Sequence, residues 1–290
     1  MEIKKRKAQQ IFGNITKKKH IHEAVLLVEN SSGDVSYSFG HGGKGIDTPF
    51  LIASITKLFT TACIFILKEQ GKLSLDDEMT KYFKNDALRN LHVYKGREYS
   101  NRLTISNLLC HTSGLPDVIE EGSSKSKKRA LDEDVQTDFN ETILKTKEIK
   151  PHFAPDMGKR AHYANINSEI LGKIIEVVTH STLEEVYKQL IFDPLGLKNT
   201  YLPEDEEDFI PHIYYKDTAF HRPKLLMSIR ASGGCVSTAR ELMVFIKAFF
   251  KGKLFSHTVF HERKVNNRLQ ASMLPRHYGF GYMRVPLTGL

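Results

Sequence analysis

Apolar positions change their period several times along this chain. Ala24 to Glu29 (AVLLVE) is a short apolar run, Asn30-Ser31-Ser32-Gly33-Asp34 is turn-forming, and Val35, Tyr37 and Phe39 then alternate with polar residues. Run, turn and alternation predict a β-hairpin, since successive strand side chains point to opposite faces. GHGGKG follows; it lacks the G-x-x-x-x-G-K-[ST] order of a phosphate loop and reads as a flexible turn. From Ala53 to Gln70 the pattern becomes helical. Ile55, Leu58, Phe59, Ala62, Ile64, Phe65, Ile66 and Leu67 cover nearly every side, which predicts a helix buried all round, stopped by Gly71.

Farther on, LTISNLLCHTSGLPD predicts a short helix ended by Gly114 and Pro116, and the polar residues 118–136 an exposed insertion or lid. NSEILGKIIEVVTH is amphipathic, with Ile170, Leu171, Ile174 and Ile175 on one side. Ser181 with Glu184 predicts a capping box for a helix that stops before Pro194, and Thr238 with Glu241 another, opening ARELMVFIKAFFKG. Gly-rich ASGGCVST and aromatic YGFGYMRV close the chain, with no internal repeat or domain-separating linker. Two early strands, many helices and a late return to strand patterning predict an α+β architecture whose late strands lie beside the early hairpin.

Composition changes that picture little, but the distribution of charge matters. The chain has 290 residues, 40% hydrophobic and 26% charged, enough for one large domain. Its net charge of +8 is concentrated at the ends: residues 1–20 carry +6, residues 251–290 carry +6, and the stretch between carries −4. A nucleic-acid-binding face is therefore not expected. Residues 1–23 read as a solvated basic arm able to make weak contact with anionic surfaces. No apolar run has signal-peptide or membrane-span length, the longest being ACIFIL, so a cytoplasmic location is expected if the first residue is the native one. Three distant cysteines (Cys63, Cys110, Cys235) fit reduced thiols, and thirteen histidines show no HExxH-type spacing, so neither metal nor cofactor is expected.

The chemistry worth weighing is Ser-x-x-Lys. A chain this long should contain about one such spacing by accident, and this one has two, Ser54/Lys57 and Ser124/Lys127. The second lies in charged GSSKSKKR without an apolar frame. Ser54 and Lys57 sit on one face at the start of the buried helix. A serine hydroxyl becomes a nucleophile when a neighbouring base takes its proton, and a lysine serves as that base only if its pKa is lowered, as burial does. A helix N-terminus also favours an oxyanion. The plain alternative is a capping Ser54 and a Lys57 that snorkels to solvent.

FLIASITKLFTT, LTISNLLCHTSGLPD, AHYANINSEILGKIIEVV, DPLGLKNTYL and ASGGCVSTARELMVF occur in that order. On these segments the chain resembles the serine β-lactamase/penicillin-binding-protein superfamily, in the class C-like branch that includes D-alanyl-D-alanine carboxypeptidases and related esterases. The resemblance implies a β-lactamase/transpeptidase-like α+β fold, an antiparallel sheet flanked by helices plus an all-helical lobe. Residues 24–290 would form one domain: hairpin 24–53, mainly helical lobe 54–230, and a return to the sheet over 231–290. It further implies that Ser54 is acylated by an amide or ester carbonyl of a small-molecule or peptide substrate, with Lys57 as proton acceptor. Tyr163 of YAN would be a second base or acid, its phenolate favoured by the lysine, and Asn165 would hydrogen-bond the substrate amide. Without the resemblance, Tyr163 reads as a packing residue and Asn165 or Asn167 as a helix N-cap. Ser113 and His111 of HTSGLPD read as structural.

The family's third element, K-T-G or H-x-G on a late strand, has only a partial counterpart. PLTGL carries Leu287 where Lys or His belongs, and no strand is expected after it, so the sheet is expected to be incomplete at its C-terminal end. The loss of one oxyanion donor alone costs about 10²–10³ in rate. Two readings follow: an acyl-enzyme hydrolase, or a catalytically impaired relative that binds ligand or is a truncated product.

Overall fold

The basic amino-terminal stretch is helical. Helix α1 (Glu2–Thr16) lies against the hairpin of β1 (Ala24–Glu29) and β2 (Ser36–His41), with Phe12 and Phe39 stacked at 6.0 Å. The computed structural model describes residues 2–84, 86–122, 132–155, 160–262, 267–273, 277–280 and 282–284. Ser124 and Lys127, residues 123–131 of the 118–136 insertion and the whole of PLTGL lie outside them. The hairpin pairs antiparallel from Ala24↔His41 to Glu29↔Ser36, and β2 alternates exposed with half-buried residues as its sequence predicts.

After the glycine-rich turn, the two-residue strand β3 (Phe50–Leu51) leads through a 3₁₀ turn (Ala53–Ile55) into α2 (Thr56–Glu69). Helix α2 is the axis of the core. Its residues from Phe59 to Leu67 are buried, polar Thr60 and Thr61 included. Phe59 packs against Phe245 at 4.2 Å and edge-on to Phe192 at 5.3 Å; Phe65 meets Phe255 at 5.0 Å and Phe280 at 5.7 Å. Each such ring contributes about 1.5–3 kcal/mol through burial. Gly71 (φ +70°) ends the helix: its N–H donates to Lys68 and that of Lys72 to Leu67, the paired bonds of a Schellman motif.

Four further helices pack around this axis. They are α3 (Ile105–Leu109), α4 (Val118–Glu121), α5 (Phe139–Lys147) and α6 (Asn165–Thr179). Helix α6 comes close to the 230–233 segment because residue 172 is glycine; a Cβ there would stand 2.6 Å from the Cβ of Ala231. Next come α7 (Leu183–Tyr187), a π-turn (Lys188–Phe192) and α8 (Asp193–Leu195). The chain then returns through α9 (Arg230–Gly233) to β4 (Val236–Ser237), which pairs antiparallel with β3 (Leu51↔Val236). Among the described residues the late strands pair with β3 or with one another, and the β1–β2 hairpin, beside which they were expected, stays a two-stranded sheet of its own. Helix α10 (Ala239–Phe250) packs on the hairpin side of α2. Beyond it, β5 (Asn267–Arg268), β6 (His277–Gly279) and β7 (Tyr282–Arg284) form a small antiparallel sheet in the order β7-β6-β5. The architecture is mixed α and β, with small antiparallel sheets around a helical centre.

Several local expectations shift. The capping box before α7 is Thr182 with Glu185, one residue later than Ser181/Glu184, because either pair fits S/T-x-x-E and Leu183 is the residue buried by the chosen register. The helical run does not stop before Pro194. It passes through the π-turn, takes Pro194 into the first turn of α8, where no N–H is needed, and ends at Gly196 (φ +67°). Thr238 does cap α10 through the Glu241 N–H (3.2 Å). The Glu241 carboxylate turns away, accepting from the N–H groups of Lys198 (3.0 Å) and Asn199 (2.9 Å).

Candidate active site

Ser54 precedes α2 rather than lying in its first turn. It is exposed in the 3₁₀ turn, next to Ala53, whose φ of +46° is unusual for a residue with a Cβ. The α2 N-cap is Ile55, without a side-chain cap bond, so the reading of Ser54 as a capping serine fails. Lys57, one turn on, does not snorkel. It is 2% exposed, and its Nζ donates to Asn165 Oδ1 (2.7 Å), the Ser232 carbonyl (2.7 Å) and Ser54 Oγ (3.3 Å). Burial pulls the Lys57 pKa from 10.5 to about 8, against the opposing charges of Glu169 and Asp117. A neutral amine has two N–H donors and one lone pair. When the amine has lost its proton, the two shorter bonds account for the donors and the lone pair is left facing Ser54.

Tyr163 and Asn165 come to the same place from the other side. Tyr163 hydrogen-bonds Ser54, and Lys57 Nζ lies 5.0 Å from the centre of its ring. The phenolate implied by the family resemblance is not favoured here. Burial pushes the Tyr163 pKa up, the Asp117 charge adds to this, and the bond from Ser54 opposes it only in part. Tyr163 is therefore a neutral phenol. Neither Asn165 nor Asn167 caps α6; Ala164 occupies the N-cap, and Asn165 is the first helical residue.

Four further groups hold this arrangement: Asp117 and Glu169, not assigned from sequence, and His111 and Ser113, read there as structural. Asp117 accepts the Asn165 N–H at 2.6 Å on one carboxylate oxygen, while the other caps α4 through Ile119 (2.8 Å) and Glu120 (3.0 Å). Glu169 accepts the backbone N–H groups of Ser232 (2.9 Å) and Ala231 (3.3 Å), positioning the carbonyl that receives Lys57. Burial raises the Glu169 pKa, with those bonds and Lys57 opposing it. His111, read as structural, stacks on Tyr163 at 4.6 Å; its Nδ1 accepts from Ala164 N (3.1 Å) and Asn167 Nδ2 (2.9 Å). Burial holds its pKa well below the usual histidine value, as an accepting ring requires. Ser113 donates to Asn167 Oδ1 at 2.7 Å, a buried bond that ties the HTSGLPD loop to α6. His111, Ser113 and Asp117 all lie in the HTSGLPD motif, the first two already read as structural; the part played by Glu169 needed the packing.

A family model for Beta-lactamase matches residues 8–290. The chain belongs to the beta-lactamase family. Within it, the chain is 30% identical over 193 residues to Protein flp of Staphylococcus aureus (strain COL), a match covering 63% of this chain and 35% of that protein. It thus spans about a third of the length of the curated relatives it matches. Among solved structures, a D-stereospecific amidohydrolase from Streptomyces sp. superposes with a TM-score of 0.75 at 22% identity, covering 91% of this chain and 78% of that one. D-amino acid amidase from Ochrobactrum anthropi SV3 gives 0.69 at 22% identity, covering 90% and 73%. These likenesses establish the β-lactamase/transpeptidase-like fold. The described residues contain no helix long and apolar enough to cross a membrane, and the three cysteines are buried thiols with no disulfide among them.

Proposed function

We propose that this beta-lactamase-family chain is a serine hydrolase acting through a covalent acyl-enzyme on an amide or ester carbonyl. The observation that carries the reading is Lys57: a buried amine, its pKa lowered to about 8, held by two fixed acceptors with its third position 3.3 Å from Ser54 Oγ. In this mechanism Ser54 Oγ bonds to the substrate carbonyl carbon as its proton passes to Lys57 Nζ. Collapse of the tetrahedral intermediate breaks the bond to the leaving amine or alcohol. The leaving group takes a proton from the Lys57 ammonium, directly or through the Tyr163 phenol. Water then attacks the ester at Ser54 with the same groups acting in reverse. With its Oδ1 engaged by Lys57, Asn165 has its amide N–H₂ to offer the substrate carbonyl.

The name of one structural neighbour, D-amino acid amidase, suggests trying D-amino-acid amides beside β-lactams, D-Ala-D-Ala peptides and small activated esters. A fluorescent penicillin or an activated ester should label the protein covalently, and Ser54→Ala should abolish the label. Labelling that persists in Ser54→Ala removes Ser54 from the mechanism. A second reading, a relative that binds such ligands without turnover, is favoured by Leu287 standing where the family has Lys or His. It makes the opposite forecast: reversible ligand binding and no Ser54-dependent hydrolysis.

A further inference from the structure

A second polar cluster hangs from the HTSGLPD loop. His162 Nε2 is 2.6 Å from Glu121 Oε1, and His152 Nε2 is 2.7 Å from Glu121 Oε2. The two imidazoles stack at 3.6 Å with 24° between their planes, so both rings present the same nitrogen to one carboxylate. One ligand atom from each residue falls within 4.8 Å of the others. We propose that Glu121, His152 and His162 form a site for a divalent transition metal, with zinc the best-suited ion.

The donor set supports the assignment. Two imidazoles and one carboxylate, with a fourth position left to water, is a common zinc arrangement, with metal–ligand distances of about 2.0–2.2 Å. The backbone behind each ligand is already fixed. His162 N–H donates to the His111 carbonyl (2.8 Å), His152 N–H to the Gly114 carbonyl (2.8 Å), and Glu121 N–H to the Asp117 carbonyl (2.8 Å). All three ligands therefore hang from the 111–117 loop, whose close approach to residue 153 depends on Gly114: a Cβ there would meet the Phe153 carbonyl oxygen at only 2.2 Å. Glu121 Oε1 also accepts the Asp117 N–H at 2.8 Å, which orients the carboxylate and leaves Oε2 to ligate. His162 is buried, Glu121 half-buried and His152 at the surface, so the cluster is open to ions from one side. An ion enters between the rings and the carboxylate, each ring carrying its proton on Nδ1, and the stacked rings splay to accommodate it.

The site stands one residue from Tyr163, and Asp117 connects it to Asn165. A bound ion ties α4, residue 152 and the segment before α6 into one unit beside Tyr163. Its existence does not depend on the hydrolase reading, and its test can use Ser54→Ala protein as well as wild type.

Untagged protein titrated with Co²⁺ should develop visible d–d absorption that saturates at one equivalent and is displaced by Zn²⁺. His152→Ala, at a surface position that should not disturb folding, and Glu121→Gln, which preserves shape, should each weaken binding by at least about 100-fold. Zn²⁺ should raise the melting temperature of wild type and not that of either variant. Absence of saturable absorption in wild type overturns the proposal and leaves the cluster as a hydrogen-bonded His–Glu–His clamp. Absorption that persists unchanged in both variants overturns it too, by placing the ion elsewhere.

Discussion

The two ends of the segment from Ala53 to Glu69 obey opposite rules. From Ala62 to Leu67 every side chain is apolar and buried, the helix is regular, and its end is closed by a Schellman motif at Gly71. Between Ala53 and Lys57 the backbone is strained, a serine is exposed, and an amine is buried where a hydrocarbon would be more stable. The apolar half supplies the rigidity that the polar half uses. A lysine on a loose helix would swing to water and recover its ordinary pKa. On one clamped by Phe59 and Phe65 it must take its hydrogen bonds from Asn165, Ser232 and Ser54.

The contrast predicts separable effects. Phe65→Ala should cost about 3–5 kcal/mol in urea denaturation, since it opens a cavity among Phe255, Phe260 and Phe280. Below the unfolding midpoint the folded fraction should still label at Ser54. A folded variant that fails to label would show that the two halves cannot be separated.

Lys57→Met should reverse the pattern. Ester hydrolysis should fall by about 10²–10⁴, the range for loss of a positioned base. The fold should persist, and its pH dependence gives a sharper reading. In wild type the folded lysine releases its proton near pH 8, whereas the unfolded one holds it to about 10.5. Between those values the unfolded state binds more protons, so folding stability rises with pH. Relative to Lys57→Met, wild type should gain about 3 kcal/mol from pH 8 to 10.5. The wild-type rate should likewise climb with pH through about 8; a flat profile there would exclude Lys57 as the base.

The smallest effect is expected at Ala53→Gly. Relief of the left-handed strain, about 1–2 kcal/mol, is offset by about 0.4–1 kcal/mol from the freer unfolded chain. A melting temperature equal to or slightly above wild type is expected. A loss above about 1 kcal/mol would mean that the Ala53 methyl group packs in a way its φ does not reveal.

Much of the frame was legible beforehand because it depends on neighbours a few residues apart. The hairpin, the buried helix, Gly71 as its stop and Thr238 as a cap are set by periods of 2 and 3.6 residues and by local hydrogen bonds. That SITK and YAN would meet was implied by the family resemblance and not by the linear pattern, which by itself reads Tyr163 as a packing residue. Where two local solutions were equally good, packing chose: Thr182 over Ser181, and passage through Pro194 instead of arrest. The state of the site was beyond the linear pattern for a different reason. The Lys57 pKa depends on desolvation and on acceptors 108 and 175 residues away, and the neutral Tyr163 phenol on being covered by His111 and Tyr278. The cluster of Glu121, His152 and His162 has the same origin, its ligands being 31 and 41 residues apart along the chain. The sequence by itself determined which residues could do chemistry and on which elements they ride. Only the tertiary structure decided their protonation and their partners, because burial and electrostatics are set by atoms distant along the chain.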